Sequence, residues 1–149
     1  MIHSMVRSMV QRQVAVPCVA LLMVHTVSAA GLQTAGSAQL YTCEERTSAN
    51  APDVGVTVCD ATATAELERR AATDNLQSRE GALVVELDAA GVSSQAGLQS
   101  GDVIYRVGGV DVASAESAAA TLALIGSGSD TIVNFLRGGR PYRVKLRRN

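Results

Sequence analysis

Apolar residues fall along the chain in short runs, and the spacing inside each run selects an element. Val54-Gly55-Val56-Thr57-Val58 is β-branched and predicts a strand with a glycine near its start. Residues 65–72 place Leu67 among Glu66, Glu68, Arg69 and Arg70, a short helix with Thr64 at its N-cap. Gly81-Ala82-Leu83-Val84-Val85-Glu86-Leu87 predicts a second strand. Ser94-Gln95-Ala96 makes a helical turn that stops at Gly97. Asp102-Val103-Ile104-Tyr105-Arg106-Val107 is a third strand, left through a tight turn at Gly108-Gly109. Ser114 caps a longer helix over 115–125, with Glu116 in its first turn and Gly126 past its end. Residues 131–136 and 142–146 read as two strands of a hairpin around Gly138-Gly139. By contrast 30–52, rich in Ala, Ser, Thr, Gln and Asn, lacks a period and reads as coil.

The sum is about five to six short strands with two helices, the longer one late: a small β-rich α+β domain, not a βαβ repeat. A chain of 149 residues holds one domain of this size and hardly two.

The first residues follow a different logic. Arg7 and Arg12 precede an apolar stretch from Val14 to Val24, and Val27-Ser28-Ala29-Ala30 supplies small residues. Basic, apolar, then small is the order of a secretory signal peptide. Val27 and Ala29 suit the −3 and −1 positions, so cleavage is expected near Ala29/Ala30, with 1–29 removed and the product periplasmic or secreted. The competing reading is an uncleaved anchor, but the run of ~14 residues is broken by Pro17 and His25 and falls short of the ~20 that span a bilayer. Pro17 before Cys18 argues against a lipoprotein.

Cleavage would change the available chemistry. Both histidines, His3 and His25, would leave with the leader, and 30–149 keeps one lysine, Lys145. Without imidazole there is no Ser-His-Asp or Cys-His nucleophile system and no His-ligated metal. No spacing matches a phosphate-cradling glycine loop, since Gly126-Ser127-Gly128-Ser129 lacks a following Lys-Ser/Thr. The expectation is a non-enzyme with neither cofactor nor metal. Aromatics at 3% and a net charge of −1 give no reason to expect nucleic acid.

Two cysteines remain, Cys43 and Cys59. An even number in an oxidising compartment reads as one disulfide, against the alternative of two unlinked thiols. It would pin the 30–52 extension to the element carrying Cys59 and add ~3 kcal/mol in the chain-entropy account.

Taken together, Gly81-Ala82-Leu83-Val84, Ala96-Gly97-Leu98-Gln99-Ser100-Gly101-Asp102-Val103-Ile104, Gly108 and Val110 resemble a PDZ domain. The similarity is to the type found in bacterial HtrA-like periplasmic proteases; it runs from about Asp53 to Arg147 and implies a domain over 53–149. Each position in the Ala-Gly-Leu-x-x-Gly-Asp-x-Ile run has a job: Gly97 ends a helical turn, Leu98 plugs the core, Gly101-Asp102 turn the chain, and Ile104 enters the sheet. The usual Gly-Ser-Pro-Ala is replaced by Ala90-Gly91-Val92-Ser93, expected to alter only a surface turn. The resemblance implies a partly open β-barrel or sandwich. Because no serine-protease nucleophile motif occurs in these residues, it also implies binding without cleavage.

A PDZ domain adds a partner's C-terminal strand to a sheet edge beside a helix. Backbone N–H groups around a central glycine hold the terminal carboxylate, and Val54, Gly55 and Val56 match that hydrophobic-Gly-hydrophobic pattern. Thr57 and Val58 would then hydrogen-bond along the peptide. Ala118, Leu122 and Ile125, at helical spacing, would form the opposite wall. The alternative is an ordinary edge strand with a glycine bulge. No histidine starts the helix, so the ligand expected is an apolar C-terminal tail.

From Arg137 onward Arg137, Arg140, Arg143, Lys145, Arg147 and Arg148 face no acidic residue in sequence. They read as a solvated, charge-protected edge strand, or as a weak contact for an anionic surface. Three functions follow from these readings. The leading one is an exported stand-alone module binding C-terminal peptides of envelope or unfolded proteins, as an adaptor for a protease or secretion system. The second is a structural or assembly subunit with its groove closed, filled by residues 30–52. The third, much weaker, is an HtrA-like serine protease remnant.

Overall fold

The computed structural model describes residues 39–148. The expected signal segment 1–29 and its cleavage site lie outside them. Among the described residues there are seven strands in one antiparallel sheet and three helices. No helix there is long and apolar enough to cross a membrane.

The first strand, β1 (Tyr41–Ala51), comes from the stretch expected to be coil. A short 3-10 turn, Pro52–Val54, leads through Gly55 into β2 (Val56–Ala63). Helix α1 (Ala65–Asp74) follows, its Thr64 hydroxyl accepting the Leu67 N–H and Asn75 closing it in the left-handed region. Then come β3 (Ala82–Leu87), the short helix α2 (Val92–Gln95), β4 (Val103–Val107) and β5 (Val110–Asp111). Helix α3 (Ala115–Ala123) starts on a capping box of Ser114 and Ser117. The hairpin β6 (Asp130–Arg137) and β7 (Arg140–Arg147) ends the chain. The strand order is β1-β2-β3-β4-β6-β7, with β5 paired to β4.

Several expected boundaries move. β2 starts at Val56, because Val54 sits in the 3-10 turn. α3 ends at Ala123, so Ile125 lies beyond the helix, its N–H on the Leu122 carbonyl. β1 and β5 raise the strand count above the five to six expected, and residues 41–51 belong to the sheet rather than to an extension outside it.

Strand alternation divides the apolar side chains between two faces. Val56 and Val58 of β2, Ala82 and Val84 of β3, Ile104 of β4, and Val133 and Phe135 of β6 join Ala115, Ala118, Ala119 and Leu122 of α3 in one core. Their neighbours in sequence, Cys59, Leu83, Val103 and Leu136, form a second core with Leu67 of α1, Leu76 and Tyr41. Leu67 is fully buried and is the apolar anchor of α1.

Asp102 ties the turn before β4 to the far hairpin. Its buried carboxylate accepts the Gln99 N–H (2.8 Å) and, bidentately, Arg137 Nε and Nη2 (both 2.7 Å). The hydrogen bond to Asp102 raises the Arg137 pKa above its ordinary value. Arg137 is therefore a structural residue and not a free surface charge. Ser93, expected in a surface turn, is wholly buried in α2.

Candidate functional site

The residues singled out for the groove come together in one place. Val54, Val56 and Val58 from one side and Ala118, Leu122 and Ile125 from the other all pack, buried, in the first core. Thr57 is half-buried and pairs with Glu86 of β3. Gly55 has φ +69°, a left-handed conformation that side chains other than glycine rarely take. A Cβ there would lie 2.9 Å from Gly91 Cα and 3.0 Å from Asp88 Cβ, and the Gly55 carbonyl accepts the Asp88 N–H at 2.9 Å. The glycine is thus required both for the turn and for the approach of the 88–91 loop.

The free edge that a docked peptide would need is taken by β1. Ala49, Asn50 and Ala51 pair antiparallel with Val58, Thr57 and Val56. Ala51 is 1% exposed and Ala49 packs on the same core as α3. This part of β1 runs along β2 beside α3, with its C-terminal end at the Gly55 turn. There the Gly55 N–H donates to the Pro52 carbonyl (3.0 Å) of the same turn.

β1 has two halves joined by an irregularity between Glu44 and Ala49. The later half lies beside α3. The earlier half, 41–44, pairs with 60–63 and is held by Tyr41, whose hydroxyl donates to the Gln77 carbonyl (3.4 Å) and accepts the Arg79 N–H (3.2 Å). It also carries Cys43, disulfide-bonded to Cys59 of β2 with a Cα–Cα distance of 5.6 Å.

Two polar residues fix the walls of this region, and sequence reasoning had missed both. Asp60 Oδ1 accepts the Ala115 N–H at 2.6 Å, anchoring the start of α3 to β2. A carboxylate at a helix N-terminus also opposes the helix dipole favourably. Arg148 donates to the Ile125 carbonyl (2.8 Å) and pairs with Asp53 (3.1 Å), clamping the end of the α3 wall to the turn before Gly55. Nothing in their sequence context separates either from a solvated charge.

The basic C-terminal run is partly paired within the chain. Arg137 is committed to Asp102, Lys145 to Asp130 (2.6 Å) and Arg148 to Asp53, while Arg140, Arg143 and Arg147 are exposed. Among the described residues no three His, Cys, Asp or Glu side chains gather as a metal site.

No family model matches the sequence, and no curated protein matches it. Solved structures do. The HtrA3 PDZ domain bound to a phage-derived ligand (FGRWV) superposes with a TM-score of 0.50 at 18% identity, over 64% of this chain and 84% of that one. The HtrA-type protease AlgW with decapeptide gives 0.50 at 21% identity, over 63% of this chain and 27% of that one. The fold is that of a PDZ domain.

Within this PDZ fold a cleft lies away from the space between β2 and α3. It measures about 680 Å3 and is lined by Leu40, Tyr41, Cys43, Arg70, Val85 and Arg137, among others. Its two guanidinium groups are already engaged, Arg70 with Asp74 (2.7 Å) and Arg137 with Asp102. A smaller cleft of about 290 Å3 runs past Val110, Leu124 and Ile125 at the far end of α3.

Proposed function

We propose that the chain is a non-catalytic protein-interaction module that takes C-terminal segments of partner proteins by strand addition at the β2 edge, in competition with its own β1. The observation that carries this reading is the placement of residues 49–51. They add to β2 beside α3 and end at the Gly55 turn, the direction in which a docked C-terminal peptide would run. The similar HtrA3 PDZ domain and AlgW hold peptides, which favours the same use of the fold here. Val54, Gly55 and Val56 would then hold the terminal carboxylate, and Ala118, Leu122 and Ile125 the apolar side chains. Export to an oxidising compartment accords with the Cys43–Cys59 disulfide, and the partners expected there are envelope or unfolded proteins.

The test is a titration with apolar-ended peptides as free acid and as amide, on the unaltered chain and on Ala49→Glu, which puts a charge against the shared core. Free-acid binding at least tenfold tighter than amide, strengthened in Ala49→Glu, is the expected result. Equal and weak binding of both forms to both proteins would exclude a carboxylate-reading groove.

A second reading, an assembly subunit whose groove stays closed, is favoured by the hold on β1 through Tyr41 and the disulfide. It predicts no peptide binding by either protein and a partner that co-purifies stably. Casein cleavage by the pure protein would instead revive a protease.

A further inference from the structure

We infer that the Cys43–Cys59 disulfide is a latch on the β2 edge, and that its reduction by a dithiol releases the 49–51 half of β1 and opens the groove. The inference rests on the peptide-groove reading above and gives that site its regulation.

Three observations meet here. First, the groove half of β1 is weakly anchored by its own side chains. The two that face the core are alanines, Ala49 and Ala51, which bury little apolar area and leave the hold to backbone pairing. Secondly, both sides of that half are tied. After it comes the Pro52–Val54 turn, and before it, in the earlier half of β1, Cys43 is bonded to Cys59, one residue past Val58 of the groove edge. Also holding this side are the pairing of 41–44 with 60–63, the Tyr41 hydrogen bonds and the Asp60 N–H donating to Thr47 Oγ1 (3.0 Å). While the latch is closed, residues 44–51 can leave β2 only as a short loop held at each end. Thirdly, the latch has an accessible side. Cys59 is fully buried, whereas Cys43 is half-buried and lines the 680 Å3 cleft.

The chemistry follows from that asymmetry. A thiolate of a dithiol reductant entering by the cleft attacks Cys43 Sγ. The Sγ–Sγ bond breaks, and Cys59 leaves as a thiolate and takes up a proton. The reductant's second thiol then displaces Cys43 from the mixed disulfide, so Cys43 also ends as a thiol. The reductant finishes as a disulfide, having given two electrons. In the chain-entropy account a cross-link over a sequence separation of 16 is worth on the order of 100-fold in the folding equilibrium, and the part of it felt locally by β1 is what amide exchange reads.

Amide hydrogen exchange on the purified chain tests this directly, comparing the oxidised protein, the same protein in dithiothreitol, and a Cys43→Ala/Cys59→Ala variant without reductant. Reduction is expected to speed exchange at 49–51 by tenfold or more beyond any change at residues 103–107 and 130–137, with the double variant matching the reduced protein. Unchanged exchange at 49–51, or uniform acceleration along the whole chain, overturns the latch. Should the double variant fail to fold, the reduced natural chain still decides. Titration of both redox forms with FGRWV as free acid and amide then separates the two ideas. Free-acid binding present in the oxidised form and strengthened in the reduced form supports both. Release of 49–51 without binding of either peptide refutes the peptide groove and leaves the latch standing.

Discussion

Replacing Arg137 by methionine probes the contact that joins the Gly101-Asp102 turn to the C-terminal hairpin. The substitution removes two 2.7 Å bonds to Asp102 and one of 2.8 Å to the Gly97 carbonyl, leaving a carboxylate that is 1% exposed and still accepts the Gln99 N–H. The methionine stem keeps much of the packing beside Phe135, over whose ring the guanidinium now lies at 5.1 Å. Stranding one partner of a buried pair costs about 3–5 kcal/mol. The Arg137 side chain is itself 35% exposed, so water reaches its end of the pair and the cost falls to or just below the bottom of that range, about 2–3 kcal/mol. In a domain of this size that lowers Tm by roughly 10 °C. Urea titration followed by circular dichroism should show the midpoint fall with an unchanged slope. Adding Asp102→Asn should cost far less in the Arg137→Met background than in the natural chain, because the stranded charge is gone. A loss below about 1 kcal/mol, with the two substitutions additive, would refute the reasoning.

Other substitutions test the remaining supports. Gly81→Ala would drive a Cβ into the Ile104 carbonyl, 3.1 Å from its carbon, where no side chain can yield. It should cost at least about 3 kcal/mol and show as lost protection along the β3–β4 pairing. Asp60→Ala removes the acceptor for the Ala115 N–H. About 1–2 kcal/mol of stability should go, and exchange of the first α3 amides should rise before that of β6. Gly55→Ala meets both a left-handed φ and the Gly91 backbone at 2.9 Å. A destabilisation of about 2 kcal/mol in thermal melts is expected, and a neutral result would mean that the turn can relax freely.

The elements that announce themselves in sequence are those whose stabilising chemistry is local. Ser114 and Thr64 cap their helices within three residues, and the Gly138-Gly139 hairpin brings neighbours together. β1 does not announce itself, for two physical reasons. Its core-facing residues beside α3 are alanines, too small to give a hydrophobic period. The irregularity between Glu44 and Ala49 also shifts the pairing, so no single alternation runs through all eleven residues. Its strand character comes from the β2 edge, a partner invisible to local patterning. That Val54, Val56, Val58, Ala118 and Leu122 gather was legible, and they share one core. What occupies the space between them was not. Asp60 and Arg148 were equally hidden, because their partners lie 55 and 23 residues away.

The covalent continuity of β1 with β2 has a quantitative side. A strand joined to its own docking edge by a four-residue turn is present there at an effective concentration in the millimolar range or above. With a roughly micromolar intrinsic affinity of β1 for that edge, an incoming peptide would be weakened about a thousandfold by the competitor. On the proposed strand-addition reading, such an edge would ignore the dilute, nonspecific chain ends around it. It would answer to partners that are abundant, multivalent or held close by, so local crowding of the partner would decide occupancy as much as the fit of its last residue.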